Sequence, residues 1–193
     1  IPDISLLFDG TVQIESIELN EEANRAYLLT NNEIYIIDIT NEDAPVSLDN
    51  TSFYSDGADI SDFESIAHNG SYLYAISART GLCVFDVSAD KVDFIDGSCN
   101  PDASANRMAL GRDLLAFYST EGGNQVRLMS VVDPQNPVFI DGQSITTQNR
   151  NINQVVIDPD KQRLIVAANS LSEVASLNSL EIWDVSKPVE PNQ

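Results

Sequence analysis

Short apolar stretches separated by polar turns run along the whole chain, and none continues as a long amphipathic helix of 3.6-residue period. The clearest stretches are IYIID, LCVFD, VRLMS and LEIWD, each followed by a polar turn. Asp38, Asp86, Ser130 and Asp184 align at their ends, spaced by 48, 44 and 54 residues. Pro45, Pro137 and Pro191 each fall seven residues after the aligned position, where the second copy has Asp93. A second marker, Asp-Gly, recurs at 9–10, 56–57, 96–97 and 141–142, three times behind an apolar run (LLFDG, DFIDG, VFIDG). Asp-Gly predicts a turn, because Gly accepts positive φ and Asp bonds to the local backbone.

Two more strands are predicted between the markers of each repeat. The first set is 14–19, 63–68, 106–110 and 153–157; the second is 26–30, 72–78, 114–119 and 163–169. Segments 21–27 and 172–178 are each long enough for one short helical turn. Each repeat is therefore four short strands over about 48 residues, the period and strand count of a propeller blade. The expected fold is all-β: a β-propeller of four four-stranded blades in a single domain, 1–193. Its approximate repeats are 11–57, 58–97, 98–142 and 143–193 plus 1–10. The opening IPDISLLFDG reads as an outer strand, and the closing EIWDVSKPVEPNQ as a third strand with no outer one after it. The N-terminal strand is thus expected to join the last blade and remove a free edge. A four-blade piece of a larger propeller is the alternative. A β-sandwich would not require markers recurring at blade length.

The segments IIDITNEDAP and IWDVSKPVEP, with VFDVSADKV and MSVVDPQNP as looser copies, resemble the LVIVD-repeat family of β-propellers. The preceding strands AYLLT, YLYAIS, LLAFYS and RLIVAA resemble that family's apolar second strand. The resemblance implies a propeller, mostly in secreted or surface proteins, with no shared catalytic motif.

Charge narrows the partners. Ten Lys+Arg against thirty Asp+Glu leave the 193-residue chain at −20. Such a surface repels phosphate backbones and anionic lipid, so no nucleic-acid partner is expected. No apolar run approaches the ~20 residues of a membrane span, so no membrane insertion is expected. A protein partner or a larger assembly remains.

In a propeller the first strand of each blade lines the central channel. Glu15, Glu64, Asn106 and Asn153 fall at equivalent places on those strands, followed by Ser16, Ser65, Arg107 and Gln154. Ile17, Ile66, Met108 and Val155 come next, so each blade offers a polar pair above an apolar residue. Two carboxylates and two amides facing one axis suit a hard cation such as Ca²⁺, or a small ligand. The alternative is hydrogen bonding between blades, with Arg107 neutralising a glutamate. Asp56, Asp59 and Asp62, close to Glu64, form a second calcium candidate, without EF-hand spacing.

No residue is assigned a catalytic role. The one histidine, His68, precedes a hairpin-like Asn-Gly and has no G-x-S-x-G element with it. Cys83 and Cys99 are the two cysteines; neighbouring antiparallel strands can bring them within disulfide reach, and two buried thiols are the alternative. A disulfide implies an oxidising place: extracellular, cell-surface or periplasmic. The leading functional reading is a non-catalytic extracellular or cell-surface module for protein interaction or adhesion, with cation binding by its acids. The alternatives are a hydrolase or lyase using channel-mouth carboxylates, with Glu15 and Glu64 as the pair, and a purely structural domain of a larger adhesin or filament. Trp183, beside Ile182 in a strand pattern, is expected in the core.

Overall fold

The computed structural model describes residues 12–31, 33–52, 54–55, 58–59, 62–120, 123–147, 150–170 and 178–186. The closing strand expected in 1–10 and the helical turn expected after 171 lie outside these residues, except for Asn178. The described chain is all-β apart from one 3-10 turn, and its longest strands have nine residues. Among the described residues, no helix is long and apolar enough to cross a membrane.

The chain divides into two compact units, Ile1–Ser104 and Ala105–Gln193. Among the described residues, the first holds two four-stranded antiparallel sheets and a short ribbon. Sheet one runs β1 (Ile14–Asn20), β2 (Arg25–Thr30), β3 (Glu33–Asp38) and β4 (Val46–Ser52), each strand beside the next. The ribbon is β5 (Tyr54–Ser55) with β6 (Ala58–Asp59). Sheet two runs β7 (Ser65–His68), β8 (Tyr72–Ser77), β9 (Gly81–Asp86) and β10 (Asp93–Phe94). The second unit holds sheet three, with β11 (Arg107–Leu110), β12 (Leu114–Tyr118), β13 (Gln125–Ser130) and β14 (Val138–Thr146). Its other sheet, sheet four, has three described strands, β15 (Arg150–Asp158), β16 (Arg163–Ser170) and β17 (Ser179–Asp184). The helical turn expected at 21–27 is instead a tight turn leading into β2.

Burial explains the order of strands. The middle strands β2, β3, β8, β9 and β12 carry almost unbroken runs of buried residues, because both their faces are covered. Strand β1 alternates half-buried and exposed positions, as a strand with one wet face does. In the first unit, Tyr27, Leu29, Ile34 and Ile36 of sheet one share a core with Ile66, Leu73, Ala75, Cys83 and Phe85 of sheet two. Phe63 meets Phe85 edge-on with ring centres 6.0 Å apart. In the second unit, Leu114, Ala116, Val126 and Leu128 of sheet three pack with Val155, Ile157, Leu164 and Val166 of sheet four.

Polar ties join the sheets of the first unit. The Arg25 guanidinium forks onto Asp90, donating from Nε at 2.8 Å and Nη2 at 3.0 Å, and lies 3.2 Å from Asp38. This pairing raises the Arg25 pKa and holds Asp90 below the usual carboxylate range. The Val92 amide donates to Asp49 at 2.9 Å.

The outer edge of sheet two departs from the repeat. β10 has only two residues, the chain turns at Asp96–Gly97 (φ +75°), and pairing resumes between Leu82 and Asn100. Gly81 makes that return possible: it has φ +80°, and an added Cβ would lie 2.1 Å from the Asn100 carbonyl oxygen. A disulfide between Cys83 and Cys99 fastens the returning segment to β9. Asn100 then caps the 3-10 turn Pro101–Ala103, its side chain accepting from the Asp102 amide. Asp141–Gly142 does not turn as expected; it lies inside β14, whose pairing with β13 shifts register between Arg127 and Met129. Bulged pairing absorbs the glycine that the sequence pattern reads as a turn.

The disulfide closes a loop of 16 residues, so its loss should release denatured-chain entropy. Replacing both cysteines by alanine is expected to lower unfolding stability by about 3 kcal/mol, measured by urea denaturation.

Candidate functional site

The aligned repeat positions do one job in all four sheets. Asp38 Oδ1 accepts from the Thr40 amide at 2.8 Å, Asp86 Oδ1 from Ser88 at 2.8 Å, and Asp184 Oδ1 from Ser186 at 2.9 Å. Ser130 Oγ accepts from Val132 at 3.5 Å, the longest of the set. The residue between each capping side chain and its amide partner is aliphatic: Ile39, Val87, Val131 and Val185. Its own amide donates to the hairpin joining the first two strands of the same sheet. The acceptors are the carbonyls of Asn24, Ser71, Asp113 and Gln162, at 3.0, 2.8, 3.0 and 2.9 Å. Each bond extends by one rung the ladder in which Asp38 faces Arg25, Asp86 faces Tyr72, Ser130 faces Leu114 and Asp184 faces Arg163. The hydrogen bonds from Thr40 and Ser88 hold Asp38 and Asp86 below the usual carboxylate range.

The residues expected at a channel mouth occupy equivalent registers. Ser16, Ser65, Arg107 and Gln154 face Leu29, Ile76, Tyr118 and Ala167 on the second strands. Glu15 and Asn153 are bulge residues, exposed, each between two positions where the register shifts. A bulge re-aims its side chain out of the ladder. Glu64 and Asn106 precede their strands, and their amides donate to Ile76 O at 2.9 Å and Tyr118 O at 3.3 Å.

The four side chains are not alike. Asn106 is buried and fully engaged: Oδ1 accepts from the Thr120 amide at 3.0 Å, and Nδ2 donates to Thr120 Oγ1 at 3.1 Å. It is a clamp between the start of β11 and the end of β12. Arg107 donates to the Asn106 carbonyl at 2.7 Å. Tyr118 is buried, and its hydroxyl accepts from the Val155 amide at 3.3 Å, tying sheet three to sheet four. Burial pushes the Tyr118 pKa up. In the first unit, Ser16 Oγ accepts from the Ile66 amide at 3.4 Å, tying β1 to β7. The Ser16 and Tyr118 hydroxyls, near the predicted ion ligands, are thus used to join strands.

Of the second calcium candidate, Asp56 lies outside the described residues, and only the backbone of Asp59 is described, in β6. Asp62 has φ +75°, and its carboxylate pairs with Arg79 at 3.0 Å. Among the described residues, no three His, Cys, Asp or Glu side chains form a metal-sized group. Trp183 departs from the expected core position: it is 40% exposed, and its Nε1 donates to Glu181 at 3.3 Å. Leu180 and Ile182 beside it are 69% and 60% exposed.

A shallow cavity in the second unit was not legible in the sequence, because it forms where two hairpin turns meet. It holds about 80 Å³ and is lined by Arg112, Leu114, Ile157, Pro159, Gln162 and Val185, among others. Small-molecule sites are typically about 300 Å³ or more.

No protein-family model matches the sequence, and no curated protein matches it. Solved structures do resemble it. U3-55K superposes with a TM-score of 0.65 at 10% identity, over 94% of this chain and 52% of that one. The RRP9 WD40 repeats give 0.65 at 10% identity, over 94% and 51%. The computationally designed Ika4 protein gives 0.54 at 10% identity, over 93% and 95%. The chain spans about half the length of the first two. WD40 repeats are four-stranded blades, and the likeness shows a β-propeller fold whose blades are the sheets described above.

Removing one capping carboxylate tests the shared turn. A carboxylate held below its ordinary pKa stabilises the fold above the unfolded value of about 3.9, and that contribution fades as pH falls through the folded value. Asp86→Ala is therefore expected to melt a few degrees below the parent between pH 5 and 7. The difference should narrow below about pH 4 and level off, once Asp86 is protonated in both states, at what a neutral carboxyl cap still contributes, as followed by thermal melts across pH.

Proposed function

We propose that this protein is a non-catalytic interaction module acting outside the cytosol, at a cell surface or in the extracellular space. Its rigid sheets present acidic turns to a positively charged protein surface. The observation that carries this reading is where the excess acid sits. With a charge of −20, the chain places Glu21, Glu22, Glu42, Asp43, Asp133 and Asp160 exposed on the turns between strands. Turn carboxylates of one sign steer a cationic partner and set its approach rate. The Cys83–Cys99 bond supports the location, since disulfides persist in oxidising compartments. Kinship with the LVIVD-repeat propellers belongs to the same proposal, supported by the capped turns at Asp38, Asp86 and Asp184.

The test is binding of the labelled chain to intact cells of its source. Saturable binding is expected, weakening steeply as monovalent salt rises through roughly 50 to 300 mM, where the screening length shrinks below 10 Å. The paired change Glu42→Lys and Asp43→Lys is expected to weaken it at least severalfold without lowering the melting temperature. Binding indifferent to salt and to charge reversal would overturn the proposal.

A further inference from the structure

The chain has one histidine, and both its ring nitrogens are in use. Nδ1 accepts from the Gly70 amide at 3.1 Å, so the neutral ring carries its proton on Nε2. Nε2 lies 2.9 Å from the carbonyl oxygen of Leu19, to which it donates. Leu19 belongs to β1 of sheet one, and Gly70 is the exposed tip of the β7–β8 hairpin of sheet two. We propose that His68 is a proton-sensitive latch: neutral, it ties the tip of the β7–β8 hairpin to β1, and protonated, it releases the tip while staying docked on β1.

The chemistry follows from the two nitrogens. An imidazolium has an N–H at both, so Nδ1–H would face the Gly70 N–H, donor against donor. That bond must break. The Nε2–H bond to Leu19 survives and becomes charge-assisted. The groups facing the ring favour this outcome. From β1 comes the Glu18 carboxyl, half-buried, raised by burial and drawn down by His68. From β2 comes Tyr27, whose ring lies 5.3 Å away, tilted by 53°. The β8 residue opposite is Leu73, which brings no charge. An ionised Glu18 holds the imidazolium on β1, so protonation loosens the turn rather than separating the sheets.

The released piece is short. Asn69 keeps the base of the hairpin closed, accepting from the Tyr72 amide at 3.3 Å and donating to the Tyr74 hydroxyl at 3.2 Å. Ser71 stays tied through its carbonyl to the Val87 amide at 2.8 Å, so only the Gly70 peptide, with open space around its Cα, re-aims. Histidine is the side chain whose ordinary pKa lies between pH 5 and 8, which sets the range over which the latch is tested. This device stands apart from the partner proposed above, and either can fail without the other.

The experiment is a nitrogen-15 NMR titration of the full chain from pH 8 to 5, where a single imidazole gives one unambiguous curve. At pH 8 the ring should show the Nε2–H tautomer. The Gly70 amide resonance should move along the same curve as the ring. Its hydrogen exchange, corrected for intrinsic rate, should speed up about fivefold, as the loss of one ordinary hydrogen bond implies. In His68→Gln the Gly70 amide should show no transition over this range. An Nδ1–H tautomer at pH 8, or a Gly70 amide that stays flat while the ring titrates, would overturn the proposal.

Discussion

The structure depends on one recurring lock at the end of each third strand. A side-chain oxygen turns the chain by capping the amide two residues on. The aliphatic residue between them carries the ladder one rung further, into the hairpin of the first two strands. Three strands are thereby fixed in register at one end by contacts a dozen or more residues apart. Val87 and Val131 are buried as a result, and Ile39 and Val185 pack against the cores of their units. Burying such a side chain contributes roughly 1.5–3 kcal/mol, more than the ~1 kcal/mol of the capping bond that positions it. The cap supplies geometry, and the aliphatic side chain supplies most of the energy.

The lock bears directly on what the molecule offers its surroundings. Its acceptors are the hairpin turns, so those turns leave the sheet at a fixed angle. The turns also carry exposed acid, and in sheet two the hairpin is the one His68 grips. A surface built this way can be highly charged without being loose, because self-repulsion acts on turns already anchored. Arg25 shows the same economy inside the first unit: one guanidinium pairs with both Asp38, a capping residue, and Asp90, in the turn after β9 of the neighbouring sheet.

Most of the fold was legible because its signals are local. The apolar runs, the aligned residues at their ends and the turns between strands all act within a few positions, so their spacing survives translation into structure. Asp141–Gly142 misled for the same reason: the dipeptide favours a turn locally, and long-range pairing in β14 overrode it. At the outer edge of sheet two the sequence offered Cys83 and Cys99 as a disulfide pair, but the return of the chain to Leu82 was illegible because it needs Gly81 and Asn100 to meet across the chain. The polar residues expected at a channel mouth were found at matching registers, yet register does not decide chemistry. Asn106 spends its carboxamide on Thr120, and Glu15 and Asn153 sit on bulges that redirect them. Which side chain is free to meet a ligand is decided by neighbours distant in sequence, which spacing does not report.

Native-state hydrogen exchange tests the lock most directly. The amides of Ile39, Val87, Val131 and Val185 lie just past the ends of their strands, where fraying normally makes exchange fast. All four are predicted to be protected to the level of the strand amides beside them, with Val131, behind the weaker serine cap, the least protected. Four amides exchanging at the rate of exposed turns would contradict the account, because the turns would then be held by something other than the ladder rung.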